Sequence, residues 1–287
     1  MKTMLITGGA RGIGAQMVRH FAAQGWRVMF CYQSSQEKAE ALARETGALA
    51  VRCDVRDEAQ VRAMLAQAMA SLRHLDALIC NAGAAWTGLT EEMPLAEYQR
   101  ICDTNLRGAF LCTREALPHL RNTRGAIVLI SSMWGLVGAS CETVYSATKA
   151  ALQCMARSLA KEVGPSGVRV NCVAPGAVDT DMMACYSQQD KQALADETPL
   201  GRLCAAQDIA DAADFLLSGK ASFITGQTLA VDGGFTLKRA APILPVQKQA
   251  GFFHQRSFSS GVTACLPALL CLAEQLPQQM PRIHQIA

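Results

Sequence analysis

The run MLIT at residues 4–7 passes directly into the glycine turn TGGARGIG, and from Ile13 to Ala23 the apolar positions take helical spacing up to Gln24-Gly25. An unbroken apolar run of strand length fits a strand covered on both faces; a strand with one wet face would alternate. The same unit recurs along the chain. RVMFCY (27–32) precedes a helical stretch from Gln36 to Thr46, and ALAVRCDV (48–55) precedes one from Glu58 to Ser71. DALICNAG (76–83), AIVLI (126–130) and VRVNCVAPGAVDTDM (168–182) are further buried runs. Such alternation leaves few topologies: a parallel sheet with right-handed crossovers, helices on both faces, and ligands at the carboxyl ends of the strands.

The expected fold is therefore α/β, a Rossmann-type doubly wound parallel sheet. With 287 residues, half of them hydrophobic and 18% charged, the chain can bury that core in a single domain. Residues 1–237 are assigned to this domain, with a last strand in ITGQTLAVDGGF (224–235), and 238–287 to an irregular C-terminal extension. Arg239, Lys248, Arg256 and Arg282 against Glu274 account for the formal charge of +3, which leaves the body neutral. A neutral body has no electrostatic footprint for nucleic acid or an anionic membrane, and no apolar run reaches the ~18 residues of a membrane span. The twelve cysteines stand singly, with no C-x-x-C pair and no histidine spacing of a zinc site. They read as buried free thiols in a reducing cytoplasm. The N-terminus shows no secretion signal, and no metal site is expected.

Missing side chains at Gly8, Gly12 and Gly14 let backbone N–H groups approach a pyrophosphate at the first helix N-terminus. A turn that only tightens the strand–helix junction has the same composition. After the second strand, an acidic residue would bond a free ribose 2′-hydroxyl, but the chain has Tyr32-Gln33-Ser34-Ser35. Arg11, with Ser34 or Ser35, offers charge and hydrogen bonds to a 2′-phosphate instead, which favours NADP(H) over NAD(H). A solvated turn role for Arg11 stands beside that reading. Asp54 is placed to accept from an adenine amino group, or to cap. Gly8, Tyr32, Asp54, Asn81 and Ser132, all at strand ends, converge on one crevice. In SSMWGLVGASCETVYSATK (131–149), Tyr145 and Lys149 are four apart on one helix face, so the ammonium is positioned to favour the phenolate. Ser132 follows the buried run AIVLI, where its hydroxyl is placed to polarise a carbonyl.

In order and spacing, TGGARGIG, Asp54, NAG at 81–83, Asn105 in DTNLRG, ISS at 130–132, YSATK at 145–149 and PG at 175–176 resemble the short-chain dehydrogenase/reductase family over residues 1–237. The resemblance implies an NAD(P)-dependent oxidoreductase with Ser132, Tyr145, Lys149 and Asn105 as a catalytic tetrad. Around the cofactor it implies Gly8, Arg11, Gly12, Ile13, Gly14, Tyr32, Ser34, Asp54, Val55, Asn81, Ala82, Gly83, Tyr145, Lys149, Pro175, Gly176, Val178 and Thr180. Ser132 and Tyr145 would bond the developing alkoxide of a reduced ketone. Tyr145 would give up the proton, its pKa lowered from about 10 by Lys149 and oxidised nicotinamide. Asn105 would hold a water relaying protons towards Lys149. A homo-oligomer, dimer or tetramer, is implied as well.

The whole pattern resembles bacterial 3-oxoacyl-(acyl-carrier-protein) reductases. A narrower resemblance competes: Trp134 with GASCE, and PGAVDTDMM followed by ETPLGR, are similar to reductases of the 5-aminopentanone modification on elongation factor P. Glu142 then meets a substrate ammonium, or is simply a solvated helix-start residue. Gly164-Pro165-Ser166-Gly167 stands where carrier-dependent reductases often carry arginine, which weakens docking of an acidic carrier, though Arg121, Arg124 and Arg169 are near in sequence. The substrate is thus a small-molecule, carrier-linked or protein-linked ketone. Met182, Met183 and Tyr186, in a polar, mobile-looking lid segment, either hold an apolar substrate stem or pack the lid down. A non-catalytic NADP(H)-binding sensor or scaffold is a further reading, opposed by retention of the Ser, Tyr and Lys set.

In the extension, VTACLPALLCLAEQL (262–276) reads as a short apolar helix broken at Pro267. A segment packed on a subunit, a membrane-surface or partner helix, and a translated extension without a selected role are its three readings. The missing caps and charge pairs favour the third.

Overall fold

A computed structural model describes residues 1–237 except Ala184 and Cys185, and the Met182 side chain is also outside the described part. The linker and helix expected within 238–287 lie outside the described residues. In chain order the elements are β1 (Thr3–Ile6), α1 (Gly12–Ala23), β2 (Arg27–Tyr32), α2 (Gln36–Thr46), β3 (Leu49–Arg52), α3 (Glu58–Leu72) and β4 (Ala77–Cys80). There follow α4 (Leu95–Cys102), α5 (Gly108–Thr123), β5 (Ala126–Ile130), α6 (Trp134–Val137), α7 (Thr143–Val163), β6 (Arg169–Pro175), α8 (Gln188–Glu197), α9 (Ala206–Leu217) and β7 (Thr228–Val231).

The strands form one sheet in the order β3-β2-β1-β4-β5-β6-β7, and every pairing is parallel. The chain starts at the centre, builds outward through β2 and β3, then returns to place β4 beside β1 and builds the other way. This reversal opens a crevice between the ends of β1 and β4, where open α/β sheets take their ligands. Both faces of the central strands are dry. Met4 and Ile6 point into one core with Phe21 and Phe30, while Leu5 points into the other with Met29 and Leu78. Side-chain alternation along a strand therefore puts apolar residues on both faces, which is why MLIT is unbroken. Each large aliphatic or aromatic side chain so buried contributes roughly 1.5–3 kcal/mol.

Local chemistry sets several ends. Asp57 caps α3, its carboxylate accepting from the Ala59 and Gln60 amides at 2.8 and 3.1 Å. Gly47 ends α2 in the left-handed conformation at φ 71°. β2 and β5 have the expected limits, whereas β3, β4 and β7 are shorter than their apolar runs. Pairing stops before Asp54 and Asn81 because the chain turns into the crevice there. Among the described residues the thiols are free, but not uniformly buried. Among the described residues Cys154 on α7 is exposed, and Cys102 at the end of α4, Cys141 in the turn before α7 and Cys204 in the loop before α9 are half-buried. No helix among the described residues is long and apolar enough to cross a membrane.

Candidate active site

At the switch point, Thr7 closes β1 and its hydroxyl accepts from the amides of Asn81 and Ala82, each at 3.0 Å. The Asn81 side-chain amide returns the tie, donating to the carbonyls of Thr7 and Gly8 at 3.1 and 3.0 Å. Gly8 has φ +65°, and a Cβ there would meet Ala82 Cα at 2.9 Å. A Cβ on Gly14 would collide with the Gly8 carbonyl oxygen and lie 2.7 Å from Asn81 Nδ2. Only glycine at positions 8 and 14 lets the turn pack this closely against the end of β4, which brings the N-terminus of α1 to the crevice.

A cavity of about 510 Å³ runs from this turn along the carboxyl ends of β1 to β6. Gly8, Arg11, Gly12, Ile13, Gly14, Tyr32, Ser34, Asp54, Val55, Asn81, Ala82, Gly83, Pro175, Gly176, Val178 and Thr180 line it, together with Ser132, Tyr145 and Lys149. Trp134, Glu142, Met183 and Tyr186 also line it. The structure therefore brings nearly every expected site residue to one wall or another; Met182 lies outside the described side chains. Asn105 stands behind the wall, fully buried.

The lining groups have specific partners. Lys149, 4% exposed, donates from Nζ to the Ile130 carbonyl at 2.8 Å and lies 5.5 Å from the centroid of the Tyr145 ring. Burial pushes its ammonium down to about 8. The Tyr145 phenol is pushed up to about 12, mainly by burial, with the Ser132 hydroxyl pulling it down and the Glu142 charge pushing it up. This corrects the expectation that Lys149 acidifies the tyrosine in the protein alone. The ammonium sits over the ring face and is bonded to a carbonyl, so desolvation of the phenolate wins. The phenol accordingly keeps its proton.

Ser131, the first of the serine pair, is structural. Its hydroxyl donates to the Lys149 carbonyl at 2.8 Å and accepts from Gln153 Nε2 at 3.0 Å, which fixes α7 against the end of β5. Asn105 lies in a π turn, Asp103–Arg107, between α4 and α5. Its side chain accepts from the Ala84 amide at 2.7 Å and donates to the Ala84 carbonyl and the Thr148 hydroxyl, both at 3.0 Å. Its amide is thus engaged in tying the loop after β4 to α7. Asp54 has the same kind of prior engagement: Arg56 donates to it at 2.6 Å and Gln33 at 2.9 Å, and the Arg56 guanidinium holds its carboxyl below the usual range.

Within the segment expected as a mobile lid, Gln188–Glu197 form α8. α8 starts with a capping box in which Ser187 and Asp190 exchange hydrogen bonds. Lys38 on α2 reaches Asp181 at 2.8 Å and Lys191 reaches Asp179 at 2.8 Å, so the segment is tethered on both sides. Trp134 packs edge-on against Phe235 at 5.6 Å, joining the β5 end to the DGGF turn.

Against known proteins, a family model described as enoyl-(acyl carrier protein) reductase matches residues 8–236. The chain belongs to the short-chain dehydrogenase/reductase family. Within this family it is 42% identical over 241 residues to the uncharacterized oxidoreductase YmfI of Bacillus subtilis, covering 82% of this chain and 98% of that protein. It is 38% identical over 239 residues to the 3-oxoacyl-[acyl-carrier-protein] reductase FabG of Staphylococcus aureus, covering 81% and 97%. Among solved structures, the 3-ketoacyl-(acyl-carrier-protein) reductase of Brucella melitensis complexed with NADH superposes with a TM-score of 0.78 at 33% identity, covering 82% and 98%. A blue fluorescent protein from a metagenomic library, in complex with NADPH, gives the same TM-score at 36% identity and the same coverage. The protein is an oxidoreductase of this family.

Sequence reasoning passed over Thr7, Ser131, Gln153 and Thr148, which hold the site from behind. Thr7 carried a visible signal as a hydroxyl ending a buried strand. It also passed over Ala85, Thr87 and Leu194, which line the cavity from loops and α8. Nothing in their local spacing marks them.

Proposed function

We propose that the protein is an NADPH-dependent ketone reductase in which Tyr145 is the general acid. The observation that carries this is the meeting of Ser132, Tyr145 and Lys149 on the wall of a cavity whose other end is the glycine turn. The fit to a dinucleotide rests on that turn, whose Gly8, Gly12 and Gly14 line the cavity at the N-terminus of α1. When bound, the dinucleotide supplies hydride to the carbonyl carbon. Ser132 and Tyr145 hydrogen-bond the oxygen on which negative charge develops, and such donors act most strongly in a dry site. Tyr145, protonated at neutral pH, gives its proton to that oxygen. Lys149 supplies positive charge beneath the ring and stabilises the phenolate left behind. Asn105 keeps the loop after β4 and α7 in register, and a water relayed towards Lys149 would engage groups other than its side-chain amide. A sensor or scaffold has no need of this donor pair.

For the cofactor, the absence of an acidic residue in Tyr32-Gln33-Ser34-Ser35 and the exposed Arg11 at the start of α1 support NADPH. Arg11→Ala is expected to weaken NADPH binding by about tenfold, the worth of one charge-assisted hydrogen bond, and to narrow the gap to NADH. Fluorescence titration with both nucleotides measures this; equal loss for both would remove the 2′-phosphate role.

The substrate supported first, by the names of the relatives, is a 3-oxoacyl thioester. A second reading, the 5-aminopentanone modification on elongation factor P, is favoured by Glu142 in the cavity wall. Internal use of Arg169 also favours it: its guanidinium donates to the Leu216 carbonyl at 2.6 Å and so does not face an acidic carrier. Turnover of acetoacetyl thioesters against aminoketones, each with NADPH and NADH, tests both. A homo-oligomer is proposed from exposed apolar side chains on α4 and α5, Leu95, Tyr98 and Phe110, and light scattering tests it. Since the family match ends at residue 236, removing residues 240–287 is expected to leave turnover intact. Loss of soluble, active protein would give the extension a role.

A further inference from the structure

Three separate parts of the chain bring charge together at one side of the cavity mouth. Arg11, exposed at the start of α1, and Asp181, on the segment that follows β6, both line the cavity, as do Ser34 and Ser35 after β2. Lys38, in the first turn of α2, stands behind this lining and donates from Nζ to the Asp181 carboxylate at 2.8 Å. Lys38 holds the Asp181 carboxyl below its usual range, and the Arg11 guanidinium acts in the same sense. Two cations thus bear on one carboxylate, and the carboxylate is the group that Lys38 presents to the cavity.

This cluster does not suit every dinucleotide equally. Arg11 and Lys38 together balance a 2′-phosphate, which carries a charge of about −1.5 to −2 at neutral pH, as phosphate monoesters do. With Asp181 retained, the same seat holds about one negative charge too many, and like charges facing one ammonium repel even in a high dielectric. A ribose 2′-hydroxyl brings no charge and leaves the Lys38–Asp181 pair intact. We infer that Lys38 joins Arg11 in seating the 2′-phosphate and that Asp181 is the protein's own anion which this phosphate displaces, so that Asp181 sets the ratio of NADPH to NADH affinity. This rests on the NADPH reading and adds to it a group that works against NADPH. An exposed ion pair is weak enough to be exchanged, and a phosphate, with up to twice the charge, is the stronger partner for two cations. Asp181 also opens the segment that runs into α8. Its displacement unfastens that segment from α2, while the Lys191–Asp179 pair at 2.8 Å stays in place.

Fluorescence titration of the full chain with NADPH and with NADH, in the absence of any ketone, tests this. Asp181→Asn is expected to tighten NADPH binding by about fivefold at about 0.1 M salt and to leave NADH within about twofold. The gain should shrink at about 1 M salt, where the screening length falls from about 10 Å to about 3 Å. Lys38→Met is expected to weaken NADPH by about fivefold and to spare NADH. Damage to the fold does not tighten a ligand, and the ratio of two dissociation constants within one variant cancels any loss of folded protein. NADPH affinity unchanged or lower in Asp181→Asn, or an equal gain for both nucleotides, overturns the displacement. An unchanged ratio in Lys38→Met removes Lys38 from the seat. Equal affinity for the two nucleotides in the native protein and in Arg11→Ala, Lys38→Met and Asp181→Asn alike overturns the NADPH reading beneath both.

Discussion

Tyr145→Phe is expected to lower kcat for ketone reduction by roughly 10²–10⁴-fold, the range supplied by a positioned general acid. The substitution removes one oxygen from a side chain whose ring is fixed by α7 and whose hydroxyl meets Ser132. The phenol carries its proton at neutral pH because burial holds its titration up at about 12. It is therefore a donor ready for reduction. NADPH fluorescence on binding should persist, since the glycine turn is untouched, and stopped-flow oxidation of NADPH then separates chemistry from binding. A variant that binds NADPH and retains most of the native rate would remove Tyr145 from the mechanism.

Lys149→Met should have two effects of opposite sign. The lysine is buried with its ammonium held at about 8 against an ordinary 10.5. Below about pH 8 folded and unfolded chains both carry the proton, and the fold bears the full cost of a buried charge, roughly 3 kcal/mol. Between about 8 and 10.5 the unfolded chain binds the proton that the folded chain has released, so this cost falls as pH rises. Tyr145 acts the other way: folded protein keeps its proton between 10 and about 12, and stability falls across that window. At pH 7, Lys149→Met removes the charge but orphans the Ile130 carbonyl, which returns about 1 kcal/mol of the gain. The variant is expected to be at least as stable as the native protein in urea, while turnover falls by about 10² or more. Equal loss of stability and activity would make the lysine a structural residue.

How far the sequence carried these arguments differs by element. β2, β5 and α2 were legible to the residue because apolar runs, glycines and polar turns coincide at their ends. β3 was read four residues too long, since the apolar positions Cys53 and Val55 pack into the core after pairing has ended. The π turn at Asn105 was invisible, because its partners, the Ala84 backbone and the Thr148 hydroxyl, are 21 and 43 residues away. The site's membership was legible through strand ends, as doubly wound sheets gather those in one crevice. Its electrostatics were not. Spacing places Lys149 beside Tyr145, but only burial decides which of them is perturbed and in which direction.

The central claim, that the cavity transfers hydride to a carbonyl carbon, is tested by mass spectrometry of products formed with NADPH deuterated at C4. A 3-oxoacyl thioester, an aminoketone and a 2-enoyl thioester would each be offered. The account predicts one deuterium on the carbinol carbon of a ketone-derived alcohol, and none in the enoyl substrate. Deuterium on a saturated chain from the enoyl thioester, or bound NADPH that is never oxidised, would contradict it.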